Sequence, residues 1–306
     1  MLTLLHQSAA TETIYEKLND EEDARACRDI SETACQVVPG NFLLILSASV
    51  LTKLGDAMTS PKTVLAWVAS SAGVPAGVLG LLVPVREAGS LVPQLLIGGF
   101  VRRIGVRKWA WVLGSVLQAI AVLGMAWTAM NLTGTAAGAG LLGSLVLFSL
   151  ARGLCSVAAK DVLGKTVPGG RRGQLAGWSA GAAGVISAVV GMYFLREVVD
   201  GSDPTMLAAL LAIAAGLWLC AGSVYSLVRE EPGETDGGAN GILQALNNLK
   251  LLVNDIPFRR FVLARSLLMC SGLSAPYFVA LAHQHNGARG ALLGALIVAG
   301  GCASLI

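Results

Sequence analysis

Charge is scarce in this chain. Asp, Glu, Lys and Arg make up 13% of its 306 residues, whereas a soluble domain carries about 25%. So little ionic surface cannot cover a globule of this length, which excludes an ordinary soluble domain. The net charge of +3 leaves no footprint for nucleic acid. Histidine is rarer still. His6, His283 and His285 are the full set, and none is placed in an apolar segment with a Ser, Cys or acid constellation, so no enzyme active site is legible and no cofactor is expected. Four of the six cysteines, Cys155, Cys220, Cys270 and Cys302, lie in apolar stretches and read as small hydrophobes. Cys27 and Cys35 alone are too few for a metal site, and in a cytoplasmic tail their thiols are expected to stay reduced. A basic leader is missing too, because residues 12–32 are strongly acidic.

What remains is apolar: 54% of the residues, a mean hydropathy of +0.67 and 37 glycines. That composition describes an all-α membrane protein that crosses the bilayer several times. A span needs about 20 apolar residues, and the sequence offers 42–67, 73–97, 109–130, 137–158, 174–195, 205–228 and 260–282. A last segment, 290–306, is cut by the chain end. Segments 109–130, 174–195 and 205–228 hold no charge at all. All are too long for barrel strands and lack strand alternation, so helices are expected.

Basic residues collect on alternate loops: Arg102, Arg103, Arg107 and Lys108; Lys160, Lys165, Arg171 and Arg172; Arg229, Lys250, Arg259 and Arg260. The other side has only Arg196 and Arg289. The richer side is expected in the cytoplasm, with the N-terminus, in the plasma (inner) membrane. The eight acids before residue 42 do not oppose this, since Asp and Glu contribute little to orientation. The chain then divides into an acidic tail (1–41), six spans (42–228), a central loop (229–259) and the start of a second set of spans (260–306). In the loop, EEPGETDGG reads as flexible linker and ILQALNNLKLLV as a helix on the membrane face. ETIYEKLNDEEDARACRDI in the tail reads as a surface helix.

Between the second and third spans lies GGFVRRIGVRKW, residues 98–109. Gly98, Arg103, Gly105, Arg107 and Lys108 match a loop signature of the major facilitator superfamily (MFS) of secondary transporters, which the sequence resembles here. Arg102 stands where that family usually has Asp, and Val106 where it usually has Arg. The basic turn KDVLGKTVPGGRRGQLAG (160–177) and Arg152, in the place of a membrane Arg of many members, extend the resemblance over nearly the whole chain, towards bacterial permeases. The Gly-Pro signature of many drug antiporters is absent from GWSAGAAGVISAVVG (177–191). The resemblance implies a six-helix N-terminal bundle plus the first two helices of a C-terminal one, and secondary transport of a small solute; H+ enters as a candidate coupling ion only through the acids within the apolar runs. Such a transporter has twelve spans. A chain cut in its eighth is expected to be inactive alone, or to be completed by a second polypeptide. A membrane docking protein that works through its acidic tail and central loop is the alternative.

Several charges interrupt the apolar runs. Lys53 and Asp56 fall near the middle of 42–67, Arg86 and Glu87 near the middle of 73–97. Each costs about 2.5–3.5 kcal/mol to insert, so pairing is expected: Lys53 with Glu87, and Asp56 with Arg86. Lys53 and Asp56 share a helix face. The cluster is either a structural lock or the wall of a transport cavity, with Asp56 or Glu87 carrying a proton. Arg152 and Arg265 are candidates for an anionic or polar solute group, and SGLSAPYF (271–278), with Tyr277, for a helix that opens around substrate. AKDVLGKT (159–166) fits a loose phosphate-loop pattern, but no strand precedes it, so nucleotide binding is rejected. Gly177 with Gly181, and Gly73 with Gly77, form small-residue faces for helix packing. Trp109, Trp111 and Trp127 are expected at the membrane interfaces.

Overall fold

The computed structural model describes residues 9–19, 30–91, 93–196, 203–233, 235, 251–286 and 290–303. Among them every regular element is helical: α1 (Ala9–Leu18), α2 (Val38–Met58), α3 (Val64–Ser71), α4 (Leu82–Leu91), α5 (Gln94–Val101), α6 (Lys108–Asn131), α7 (Gly134–Thr166), α8 (Gly169–Arg196), α9 (Pro204–Ser226), α10 (Ile256–Cys270), α11 (Ala275–Asn286) and α12 (Gly290–Ala303). Single turns lie at Glu32–Cys35, Ala76–Leu79 and Leu251–Asn254. Six helical stretches are long and apolar enough to cross a membrane: Val38–Met58, Lys108–Asn131, Gly134–Thr166, Gly169–Tyr193, Pro204–Ser226 and Ile256–His285. The chain is an integral, all-α membrane protein.

Helix α6 shows why these segments are stable in lipid. Its 24 residues rise about 36 Å, enough for the ~30 Å hydrocarbon core. The exposed stripe is bulky: Leu113, Ile120, Leu123, Trp127 and Met130. The opposite face is small and buried, with Ala110, Gly114, Ser115, Ala119 and Ala121. Large residues face lipid and small ones let the neighbouring backbones approach. α6 packs between α7 and α9, α2 lies against α8 and α9, and α4 and α5 lie against α7.

The first two passages are interrupted where unbroken spans over 42–67 and 73–97 were expected. α2 stops at Met58, and an irregular turn around Pro61 separates it from α3. The second passage comes in pieces that start at prolines. Pro75 precedes Ala76–Leu79, Pro84 sits in the first turn of α4, and Pro93 caps α5. A proline has no N–H to continue a helix but suits its first turn. At the end opposite the basic loops, Gly134 N donates to the Ala72 carbonyl at 2.7 Å, fastening α3 to the α6–α7 turn. Gly134 has φ +59, a backbone setting that a side chain would strain.

Two apolar clusters stack along the bundle. One gathers Trp67, Met125, Leu145, Phe148 and Trp218. The other, nearer the basic loops, gathers Phe42, Ile45, Trp111, Ala158 and Tyr225. Tyr15 of α1 joins this second cluster, with its ring 5.3 Å from that of Phe42. The N-terminal helix is therefore docked by its tyrosine. Trp109 and Trp127 are exposed as expected, but Trp111 is buried and stacks on Tyr225 at 3.9 Å.

The glycine seam is not where the sequence suggested. A Cβ added at Gly73, Gly77, Gly177 or Gly181 would meet nothing within 4 Å. Gly191 and Gly301 make the close approach instead: a Cβ on Gly191 would lie 2.8 Å from Val298 N, and one on Gly301 2.9 Å from Gly184 O. There α12 packs backbone to backbone against α8. The sulfur of Cys35 is disulfide-bonded, not reduced as expected. Most of the expected ILQALNNLKLLV helix lies outside the described residues.

Candidate functional site

Asp56 lies near the end of α2, at the level where the two apolar clusters meet. Its Oδ1 accepts from Arg86 Nη2 of α4 at 2.8 Å, and its Oδ2 forms an ion pair with Arg152 Nη2 of α7 at 2.5 Å. The guanidinium of Arg86 also lies 4.3 Å from the centroid of the Phe148 ring, which meets Trp218 edge to face. Arg86 Nη1 has no hydrogen-bond partner among the described residues. The cluster is well screened, with side-chain exposures of 13% for Arg86, 19% for Asp56 and 34% for Arg152. Ion pairs at such depth weaken little with salt, and losing one partner strands the others.

The Asp56–Arg86 pair is the expected one; the Lys53–Glu87 pair does not form. Lys53 Nζ donates to Ser179 Oγ at 2.8 Å and to the Ala176 carbonyl at 3.2 Å, both on α8. Arg86 and Glu87 are adjacent on a helix, about 100° apart around its axis, so they cannot both turn towards α2. Glu87 instead lines a cavity of about 370 Å³ with Lys62, Ser266 and Gly272. Arg265 is exposed on α10, away from the cluster. Tyr277 is half exposed, and a Cβ at Gly80 would collide with its hydroxyl, so it packs on the second passage.

Two further cavities border the cluster, one at Asp56 itself and one at Arg152. One of about 470 Å³ runs between α2, α8 and α12, lined by Lys53, Asp56, Ser60, Ser187 and Gly301. The other, about 300 Å³, enters the bundle beside Ser49, Lys53, Gln118, Arg152, Cys155 and Ser179. Gln118 was missed in the sequence. A lone amide inside a charge-free apolar run was the available signal.

The basic turn forms a second ionic centre. A Cβ at Gly98 would meet nothing within 4 Å, and Arg102 and Arg103 are exposed. Arg107 pairs with Asp161 of α7 at 3.3 Å. Lys108 Nζ donates to the carbonyls of Ser226 and Val228, and the Gly105 carbonyl accepts from Gly233 N. Glu230, whose side chain is fully covered, accepts from Lys165 Nζ at 2.8 Å and from Lys108 N at 2.7 Å. The acid that the turn lacks at Arg102 is thus replaced by carboxylates from elsewhere. Residues 230–233, the first part of the EEPGETDGG stretch expected as flexible linker, are tied down together with Arg229. Asn41 binds Arg229 through both its amide atoms, each at 2.9 Å. Glu231 accepts from Thr33 and Ser31, and these hydrogen bonds hold its exposed carboxyl below its usual pKa, Thr33 contributing most.

Ser71 Oγ lies 3.2 Å from His283 Nε2, but no carboxylate pairs with that imidazole among the described residues. Nor do the described residues hold three His, Cys, Asp or Glu grouped for a metal. Among the described residues the arrangement holds charged groups in pairs and screens them, without a Ser-His-carboxylate constellation.

The family model described as Major Facilitator Superfamily matches residues 45–306. The fold is similar to that in a crystal structure of a D-xylose-proton symporter, with a TM-score of 0.59 and 16% identity, over 85% of this chain and 65% of the symporter. The chain thus spans 65% of that protein's length, and at this identity the likeness concerns the fold alone. No curated protein matches the sequence.

Proposed function

We propose a function from one premise: the chain belongs to the Major Facilitator Superfamily. It acts in secondary transport, moving a small solute across the inner membrane by alternating access. The carrying observation is the Asp56 cluster, where one carboxylate bridges guanidiniums from two other passages and lines a cavity shared with α12. A site bounded by both sets of helices is what rocking one set against the other would open and close. The basic loops at one end support placing that end, and α1, in the cytoplasm.

The coupling ion is H+, and of the two acids Glu87 is the better-supported carrier. Asp56 already faces two guanidiniums, so protonation would strand both. Glu87 has no ion pair among the described residues and borders a cavity. The similar symporter couples its sugar to a proton by name, which favours the same ion here. The docking alternative has less support, because α1 turns inward: Tyr15 is buried, and the Leu18 carbonyl accepts from Trp178.

The test is uptake into vesicles containing the full chain, alone and with any subunit that co-purifies. Glu87→Gln should abolish the pH dependence of uptake, and Asp56→Asn should disable uptake at every pH. Unaltered pH-dependent uptake in both variants would sink this mechanism.

A further inference from the structure

We infer that the solute is a small hydroxylated organic anion, seated in the cavity of about 300 Å³ between Lys53, Arg152 and Gln118. The inference rests on the transport reading and names its substrate class. It begins with a charge imbalance. Lys53, Arg86 and Arg152 bring three cations to one level of the bundle, and Asp56 is the carboxylate that pairs there among the described residues. Among the described residues the acceptors of Lys53 are neutral, the Ala176 carbonyl and the Ser179 hydroxyl. Glu87 borders a different cavity, beside Lys62, whose charge it matches. A site screened from water favours a ligand that supplies the missing negative charge. An ammonium beside a guanidinium gives charge-assisted donors suited to a carboxylate.

Gln118 adds a second requirement. It is fully buried and lines the same cavity. Its Nε2 donates to the Gly114 carbonyl at 3.3 Å and to Cys155 Sγ at 3.1 Å, while the Cys155 thiol donates to the Trp111 carbonyl. Because the Gly114 carbonyl only accepts, this chain fixes which way the amide faces. Gln118 Oε1 is left with no partner among the described residues. A buried acceptor in that state calls for a donor. An ionised carboxylate has none, but a hydroxyl on the same ligand does. Ser49 and Ser156 extend the polar wall.

Asp56 is then the internal anion that competes with the ligand for Arg152. This separates a binding site from a mere structural lock, because removing Asp56 should tighten anion binding while removing Arg152 loosens it.

The test uses the purified full chain in detergent, titrated with lactate, glycerate and gluconate, with their neutral counterparts propane-1,2-diol, glycerol and glucitol, and with propionate, which lacks the hydroxyl of lactate and should bind more weakly than lactate. Tryptophan fluorescence is the readout, since Trp111 lines the cavity, with thermal stability alongside. At least one acid is expected to bind about tenfold more tightly than its neutral partner. Arg152→Gln and Lys53→Gln should each weaken that binding by about tenfold, Asp56→Asn should strengthen it, and Gln118→Leu should erase the preference for lactate over propionate. Equal binding of acids and alcohols, no binding of any acid, or unchanged affinity in both cation variants overturns the inference. Acid binding without uptake in vesicles would count against transport and leave the anion site standing. Saturable uptake of a neutral solute, with no acid bound, would do the reverse.

Discussion

Two ionic centres stand at different depths of one bundle, and they are built in opposite ways. The deep one, around Asp56, is short of acid, with three cations around one carboxylate. The one at the basic end gives each of its two acids a donor: buried Glu230 receives Lys165 and a backbone N–H, and the more exposed Asp161 receives Arg107. A balanced network has its partners supplied by the chain and serves to hold segments together. An unbalanced one is suited to take a partner from outside. Location agrees with this division. The deep cluster borders two cavities, whereas the end cluster ties the turn 102–108, the last turns of α7 and segment 229–233 to one another.

The contrast can be broken most forcefully at Asp56. Asp56→Ala strands two guanidiniums in a screened site and should cost about 3–5 kcal/mol, read as a large loss of folded protein by size-exclusion chromatography after heating. A fall no greater than that of a surface mutation would erase the distinction in depth. Glu230→Ala comes next, at about 1.5–3 kcal/mol for charge-assisted hydrogen bonds, measured as a lower Tm and as faster proteolysis after residue 229. Arg107→Ala should cost only about 0–1 kcal/mol, because Asp161 is more than a third exposed and such pairs contribute little; a thermal scan checks this.

The smallest effect is at Glu231. Its folded pKa is depressed, so the contact with Ser31 and Thr33 adds stability above the unfolded carboxyl pKa of about 4.3. That stability is lost as pH falls through the lower folded value. Hydrogen-exchange protection at residues 31–34, the observed rate taken relative to the intrinsic rate at each pH, should therefore be steady near neutrality and fall only in acid. A loss of protection centred near pH 7 would show that another group controls the contact.

Much of the bundle was legible because a bilayer demands long apolar runs, and the charge-free segments around α6, α8 and α9 have no other use. The breaks in the first two passages were harder to see. Apolar content does not register a break, although Pro61, Pro75, Pro84 and Pro93 mark them in the sequence. Of the deep cluster, Asp56 with Arg86 followed from helix spacing. Lys53 with Glu87 did not, because adjacent residues on α4 face different ways and α8 offered Lys53 nearer acceptors. Arg152 emerged as the second partner of Asp56, a contact between distant segments that no local spacing encodes. Glu230 was hidden by its company: Glu-Glu-Pro-Gly has the composition of a tether, and only the three-dimensional meeting of Lys108 and Lys165 makes it an anchor.

The contact between α8 and α12 has a mechanical consequence. At Gly191 and Gly301 the two rods touch mainly through main chain, with one methyl of Val298 seated beside Gly191. Such a joint resists separation, since the contact area is continuous, yet it offers few ratchet teeth against gliding lengthwise. A motion that slides one rod along the other would keep their dispersion contact nearly constant, whereas prying them apart would forfeit it all at once.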